Sequence, residues 1–477
     1  MTVPERLVAA AVVGLARGAL GEGEGVWIAG GAVRDAALGR PVDDLDLAVT
    51  ADPSAIAKAV ARQGDGHAFE LSAEFATWRA VAADGSWQVD ATALRGPTIE
   101  ADLGERDFTV GAVAVPLAGG EAIDPHGGLA DLERGVLRAV SEHSFRADPL
   151  RLLRAARLAA ELELEIDPET VALARSEAPH AAEPAGERQL AELRQLVGGP
   201  NPLRGMALLD ELGLTAVVLP ELEGLRGVEQ GPNHHLDVHG HTMAVLERTL
   251  EVEADLERFG GERSPELTSL LAEPLADEMS RGTALRFGAL LHDIGKPATR
   301  AERDGYVTFV GHDRDGAEIV AAICSRLRAS RVLTRHLQGL TLHHLRLGFM
   351  VHEAPLPPRR IHEYLRATEP VGPDVTLLTV ADRLSARGSG PFATEEAIEA
   401  HLRLAREMLA ATLDWRRDGP PRPLLRGDEL AAELAAELGV EEGPELGELL
   451  QELEAAQYAG EIATRDEAIA LARSLRG

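Results

Sequence analysis

The sequence predicts an α+β protein, with a small mixed β-sheet near the N-terminal end and a mostly helical body behind it. Three observations carry this expectation. Short apolar segments separated by glycine-rich turns occupy residues 1 to 145. From Ser144 onward, apolar residues recur at helical spacing. The composition favours helices, being dominated by alanine, leucine, glutamate and arginine, with only 3% aromatic residues.

At 477 residues the chain exceeds one ordinary core, so two to four domains are expected. Composition shifts put boundaries near 145, 225 and 395, giving segments 1–145, 146–225, 226–395 and 396–477. A formal charge of −30 argues against a protein that coats nucleic acid without specificity, and DNA is not an expected partner. It leaves room for a local basic groove. The single Cys324 excludes an internal disulfide framework and fits a reducing, cytoplasmic setting. No apolar run approaches a membrane span, and the start MTVPERLVAA lacks a basic leader before an apolar core.

Strand-like stretches follow in order: VWIAGG, DLDLAV, TWRAVAA, WQVDATAL, FTVGAVAV and VLRAV. In the first pair, Val26 to Ala29 reads as a buried strand, Gly30-Gly31 as a break and Val33 to Leu38 as helical turns. Val42 to Val49 alternates as a second strand, with Asp44 and Asp46 on one face. Two carboxylates on one strand face repel unless a cation lies between them, and such a pair can hold Mg²⁺ through hard oxygen ligands. The glycine pair lets backbone approach a phosphate or ribose closely. ERDFTVGAVAV places Arg106 and Asp107 at the start of a further strand. DPLRLLRAARLAAEL reads as a helix capped at Asp148-Pro149, with Leu150, Leu153, Ala156 and Leu158 on its apolar side. Arg151, Arg154 and Arg157 repeat along another flank, where a guanidinium row could grip a triphosphate. The tail is acidic and helical, broken at Gly439 and at Gly443-Pro444, and its Glu-rich face reads first as a solvated surface.

Taken in order, these motifs resemble the class II tRNA nucleotidyltransferases and their poly(A) polymerase relatives. The carrying residues are GGAVRD followed by Asp44-Leu45-Asp46, then RDFT, then Asp124-Pro125-His126-Gly127-Gly128, then DPLRLLRAAR; GERQLAELRQLV looks like the helix that follows. The resemblance implies a nucleotidyltransferase head on a helical body, acting on a tRNA 3′ end with CTP and ATP. Asp44 and Asp46 would be catalytic and ligate Mg²⁺. Gly30, Gly31, Arg34, Arg106 and Asp107 would form the nucleotide site. Asp148 and Arg151 would read the base edge, and Arg154 and Arg157 would complete nucleotide binding. Asp90 falls where relatives carry another acid.

The chain departs from the family pattern at Glu105, Gly111 and Ala147. Only RGPTIEADLGE separates the WQVDATAL strand from RDFT, where CCA-adding relatives usually have a longer charged loop. That shortening resembles CC-adding enzymes. The segment 146–225 would bind nucleobase and RNA, and the tail 396–477 resembles the family's tail, which offers a tRNA-binding role.

Eleven of the sixteen histidines lie between residues 234 and 362. HHLDVHGHT, LLHDIGKPAT, GHDRDG, HHLRLG and VADRLSARG follow one another, and imidazoles with carboxylates on facing helices make a divalent site. The series resembles the HD phosphohydrolase superfamily, an all-helical metal fold. By that resemblance His241, His292, Asp293 and Asp382 would be the core ligands of a divalent transition metal or Mg²⁺. His312 and His343 or His344 would serve a second metal, with Lys296 near phosphate. The implied activity is phosphatase or 2′,3′-cyclic phosphodiesterase work on RNA ends.

Three further readings stay open at this point. One is a CC-adding or poly(A)-type polymerase. Another is an HD phosphohydrolase whose head only binds nucleotide or RNA. The last is a nucleotide-sensing regulator.

Overall fold

The computed structural model describes residues 2–21, 23–72, 76–438 and 443–476. The chain packs as two compact units, Met1–Val218 and Leu219–Gly477. Among the described residues no helix is long and apolar enough to cross a membrane.

The first unit is built on a six-stranded sheet in the order β3-β4-β5-β2-β1-β6. Its strands are β1 (Val26–Ala29), β2 (Asp44–Val49), β3 (His67–Ser72), β4 (Thr77–Val81), β5 (Gln88–Ala93) and β6 (Ala114–Pro116). The sheet is mixed: β2 and β5 run parallel, with Asp46 opposite Asp90, and the other pairings are antiparallel. Alternation fixes how β2 sits. Leu45, Leu47 and Val49 enter a core with Ile28, Val33, Val60, Val89 and Val115, so Asp44 and Asp46 must face the other way. On that other face Ala48 packs with Ala29, Ala114, Ile99 and Leu103, beneath a short helix, Ile99–Gly104.

Two expected strands take other forms. Phe108 makes only an isolated antiparallel bridge to Ala139, outside the main sheet, and Thr109–Gly111 is one 3₁₀ turn. Thr109 is held out of the ladder because its hydroxyl donates to the buried Asp131 carboxylate at 2.6 Å. Arg106 and Asp107 therefore sit in a loop rather than at a strand start. Val136–Leu137 pairs only with Glu165–Ile166, outside the main sheet. Strand β3 was not foreseen, because HAFELS is an edge strand with few buried positions and weak alternation.

The Asp124-Pro125-His126-Gly127-Gly128 stretch has a structural task. Asp124 accepts the Gly128 and Leu129 amides at 2.7 and 2.9 Å, starting the helix Gly128–Glu133. Gly128 lies so close to Thr109 that a Cβ there would stand 1.9 Å from the Thr109 carbonyl oxygen.

Behind the sheet, the helix Arg151–Leu162 packs on Gly186–Gly198 and Pro202–Glu211. The helix starts later than the expected cap at Asp148-Pro149: its N-cap is Leu150, without a side-chain cap bond, and the Asp148 carboxylate accepts the Leu150 amide, at 3.1 Å. This helix is tied to the loop before Thr109 by hydrogen bonds described below. The expected division at 145 consequently falls inside one packed unit, and that at 395 inside the other.

The second unit is helical, with Val238–Ala254, Arg281–Leu291, His312–Arg326, Arg331–His343 and Gly372–Ser385 packed around one another, and Glu395–Asp418 against the last. The tail helices Gly427–Leu438, Pro444–Tyr458 and Arg465–Arg476 share a separate small core that includes Leu430, Leu449, Leu453 and Ile469. The expected break at Gly439 lies outside the described residues; Gly443 precedes a helix begun by Pro444.

Gly128→Ala should destabilise the first unit by about 1–3 kcal/mol, since the added carbon must displace a backbone carbonyl. Urea unfolding of the variant would read this as a lowered midpoint; an unchanged midpoint would contradict the packing described.

Candidate functional site

In the first unit the two glycines answer to the acids. Gly30 has φ +71°, and a Cβ there would lie 2.8 Å from Arg106 Nη1 and 3.2 Å from Asp46 Oδ2. A Cβ on Gly31 would lie 3.7 Å from both Arg34 Nη2 and Asp46 Oδ2. The break is thus where the backbone yields space to a carboxylate and two guanidinium groups. Asp44 and Asp46 are both exposed to solvent. Partial desolvation by the surrounding chain, and then the neighbouring Asp90, raise the pKa of Asp44. Burial also raises that of Asp46, opposed by Arg106 and the Gly31 amide and reinforced by Asp90. Such a pair is short of positive charge. The donor set, two hard carboxylates beside a third, fits a divalent cation such as Mg²⁺.

Asp90 itself is neutralised across the β4–β5 pairing. Arg79 grips it bidentately, Nε to Oδ1 at 2.8 Å and Nη2 to Oδ2 at 2.7 Å. Arg106 is steered by the buried Asp102, whose Oδ2 accepts its Nε and Nη2 at 3.3 and 3.2 Å. Arg34 pairs with its neighbour Asp35 at 3.0 and 3.1 Å.

The arginine row is more occupied than its spacing implied. Arg151 donates to three carbonyls, those of Glu105 at 2.6 Å, Ser144 at 3.1 Å and Arg106 at 3.3 Å. Arg154 donates to Asp107 at 2.9 Å and to Glu192 at 3.2 Å. Arg157 donates to Glu192 and Glu161, each at 2.7 Å. Burial opposes the Asp107 charge, but Arg154 beside it holds that carboxyl below its usual range. Asp107, Arg154 and Arg157 therefore belong to a partly buried ionic network in this structure, in which each guanidinium already has a carboxylate partner. Asp148 divides its oxygens between the Leu150 amide and Arg188, the latter at 2.8 Å.

In the second unit five helices bring together six of the expected ligands. His241, His292 and Asp382 form one group, and Asp293, His312 and His344 another, each with its ligand atoms within 4.8 Å of one another. His241 Nε2 lies 3.0 Å from Asp382 and 3.7 Å from Asp293, and His292 Nε2 lies 3.1 Å from Asp293. His312 and His344 Nε2 approach Asp293 Oδ1 at 3.3 and 3.6 Å. His343 does not join them: its Nδ1 accepts from Arg346 at 3.0 Å, one helical step away from the cluster. Lys296 reaches Asp293 Oδ2 at 2.6 Å.

Three imidazoles are oriented in the same way. Nδ1 of His292, His312 and His344 bonds the carbonyls of Ala289, Phe309 and Thr341 at 2.9, 2.6 and 2.6 Å. A carbonyl only accepts, so each Nδ1 carries a proton, and a neutral ring then has its lone pair at Nε2, on the inward side. Nε2 of His312 and His344 then face each other at 3.4 Å. Nε2 of His241 and His292 is buried, each against a carboxylate oxygen at 3.0 and 3.1 Å but without the alignment of a hydrogen bond. Inward lone pairs and buried carboxylates fit divalent metal ions. Against burial, His292 and Lys296 hold Asp293 well below the usual carboxylate range, and His241 does the same for Asp382. Both acids are thus ready as anionic ligands.

Sequence reasoning missed several contributors. Arg79 has no motif, since only strand register puts it against Asp90. Glu192 left a weak signal, as an acid on the same helical stripe as Gln189 and Leu196. His234 stands beside His241, ring centroids 4.5 Å apart, and burial with nearby His241 and Lys296 pushes its pKa down to about 3.

Comparison with known proteins gives the following. Residues 26–138 match the poly A polymerase head domain, 163–225 a probable RNA- and SrmB-binding site of polymerase A, and 240–387 the HD domain. An A-adding tRNA nucleotidyltransferase of Deinococcus radiodurans is 38% identical over 86% of this chain and 86% of its own. A CC-adding tRNA nucleotidyltransferase of Thermus thermophilus is 35% identical over 94% of this chain and 93% of its own. The solved Thermotoga maritima CCA-adding enzyme complexed with tRNA has the same fold, with TM-score 0.59 and 20% identity over 100% of this chain and 98% of that one.

Asp293→Ala, which removes the acid lying within reach of His241, His292, His312 and His344, should cut divalent metal bound per chain by more than half. Elemental analysis of dialysed full-length protein checks this, and unchanged metal content would remove the assignment.

Proposed function

The chain belongs to the tRNA nucleotidyltransferase family with a fused HD domain, and from that premise we propose that it extends the 3′ end of tRNA with C, A or both, releasing pyrophosphate. The observation that carries the reading is the cluster in which Asp46, beside Asp44 on one strand face, adjoins the Gly30-Gly31 break and Arg106. Mg²⁺ held there by the two carboxylates would activate the RNA 3′-hydroxyl and steady the leaving pyrophosphate.

The protein's own groups do the rest. Gly30 and Gly31 admit the nucleotide phosphates close to the backbone, and Arg34 and Arg106 supply positive charge beside them. Arg106 is aimed by Asp102 and kept in place by the Arg151 bonds to its loop. Asp148 and Arg151 face the base, so that protein side chains select the nucleotide. Arg154 and Arg157 hold this helix on the head through Asp107 and Glu192. The functional segments are 1–145 for transfer, 146–225 for base and RNA binding, 226–395 for the HD centre and 396–477 for tRNA. The short connection Arg95–Glu105, filled by the helix Ile99–Gly104, supports synthesis of part of the CCA end by one chain.

The HD centre is a second site. Held by His241, His292, Asp293, His312, His344 and Asp382, divalent cations would supply Lewis acidity toward a phosphate ester at an RNA end. Lys296 adds positive charge beside them. The lone, buried Cys324 supports a reducing cytoplasm as the working compartment.

The test uses tRNA transcripts ending before CCA, after C and after CC, each with labelled CTP or ATP. Extension of at least one is expected, and the pattern assigns C, CC, A or CCA addition; extension of none would defeat the proposal. Gly30→Ala should lower the initial rate of extension by about tenfold or more, the equivalent of about 1.4 kcal/mol. Because alanine at φ +71° is itself strained, circular dichroism of the same variant should still show the wild-type spectrum for the loss to be read at the site.

A further inference from the structure

Next to the HD centre, residues 230–235 are clamped in place by backbone. Gly388 donates to the Asn233 carbonyl at 2.9 Å, and Ser389 and Gly390 donate to the Pro232 carbonyl at 2.8 and 2.9 Å. The fit leaves no room for side chains at the two glycines. A Cβ on Gly388 would stand 2.2 Å from Pro232 O and 2.6 Å from His234 N, and one on Gly390 2.1 Å from Asn233 Oδ1.

Two side chains reach the centre from this clamp. Gln230 Oε1 accepts from Lys296 Nζ at 2.6 Å. The His234 ring meets that of His241 edge-on, with centroids 4.5 Å apart and planes at 77°. His234 Nδ1 is buried and has no hydrogen-bond partner. A buried polar nitrogen left unpaired is uncommon, and beside a candidate reaction centre it marks a place where a ligand atom completes the bond. The metal-facing sets do not need it. His234 belongs to neither group of three, and three protein ligands leave coordination positions for a substrate.

We propose that His234 is a substrate-contacting residue of the HD centre, its Nδ1 bonding a phosphate oxygen of a phosphate ester held at the His241, His292 and Asp382 side. This rests on the reading of that centre as a phosphohydrolase site. The clamp explains why a loop residue can serve: its backbone is fixed by three hydrogen bonds and two glycines before any substrate arrives. Gln230 and Lys296 extend the same wall, so an incoming phosphate meets an imidazole on one side and an ammonium on the other.

The experiment uses full-length, metal-loaded protein with inorganic phosphate as the probe, measured by calorimetry, and metal per chain by elemental analysis. His234→Ala should leave metal content unchanged and weaken phosphate binding about tenfold. His234→Phe keeps a ring against His241 without the nitrogen and should show the same loss, which separates the contact from packing. His234→Asn, whose amide reaches the Nδ1 position, should restore most of the affinity, as a purely structural role would not. Metal content falling in His234→Ala would make the residue a metal ligand and overturn the proposal. Unaltered phosphate binding in His234→Phe would overturn it too, while leaving the phosphohydrolase reading in place. No phosphate binding by the wild-type, metal-loaded protein would bring down that reading and the proposal together.

Discussion

The parallel pairing of β2 with β5 is the constraint on which the first unit depends. It sets Asp46 directly opposite Asp90 and puts three carboxylates on adjoining strands. Arg79 satisfies one of them in full, and Arg106 only partly relieves another. The remaining negative charge cannot turn inward, because Leu45 and Leu47 occupy the core on the opposite face. A one-residue slip of β2 would bury both acids and expose both leucines, so hydrophobic packing alone enforces the position of the charge.

Around that charge the helix Arg151–Leu162 behaves as a brace. Its first arginine bonds the carbonyls of Glu105 and Arg106, and its second bonds the Asp107 side chain. Three consecutive residues of one loop are thereby fixed by two arginines one helical turn apart. Glu192 then ties the second and third arginines to the helix Gly186–Gly198. Breaking such a network at one partner leaves a buried charge uncompensated, which is typically costlier than never having formed it. The loop that carries Arg106 inherits its precision from this brace.

Much of this was legible in the sequence, and for identifiable reasons. Alternation in DLDLAV fixed the face of Asp44 and Asp46, and the glycine pair marked the close approach. The order of histidine stretches singled out six residues that the structure brings together. What stayed illegible depended on register and on distant pairing. Arg79 meets Asp90 only because β4 and β5 align as they do, and Thr109 to Gly111 turns away from the sheet beside a threonine–aspartate bond to a later helix. The arginine row was read from its spacing as open to phosphate, whereas Asp107, Glu161 and Glu192 occupy it. His343 and His344 are adjacent in sequence, and only helix phase decides which of them turns inward.

The three imidazole–carbonyl bonds in the second unit share one form: each ring bonds the carbonyl three residues earlier in its own chain. The partner that fixes each tautomer is therefore main chain and not another side chain. Substitutions around the centre can alter its dielectric or its access, but the Nδ1 bonds of these three rings involve no outer acid or amide to delete. Drift in neighbouring residues leaves the donor orientation untouched, and only a change in local backbone course can retune it.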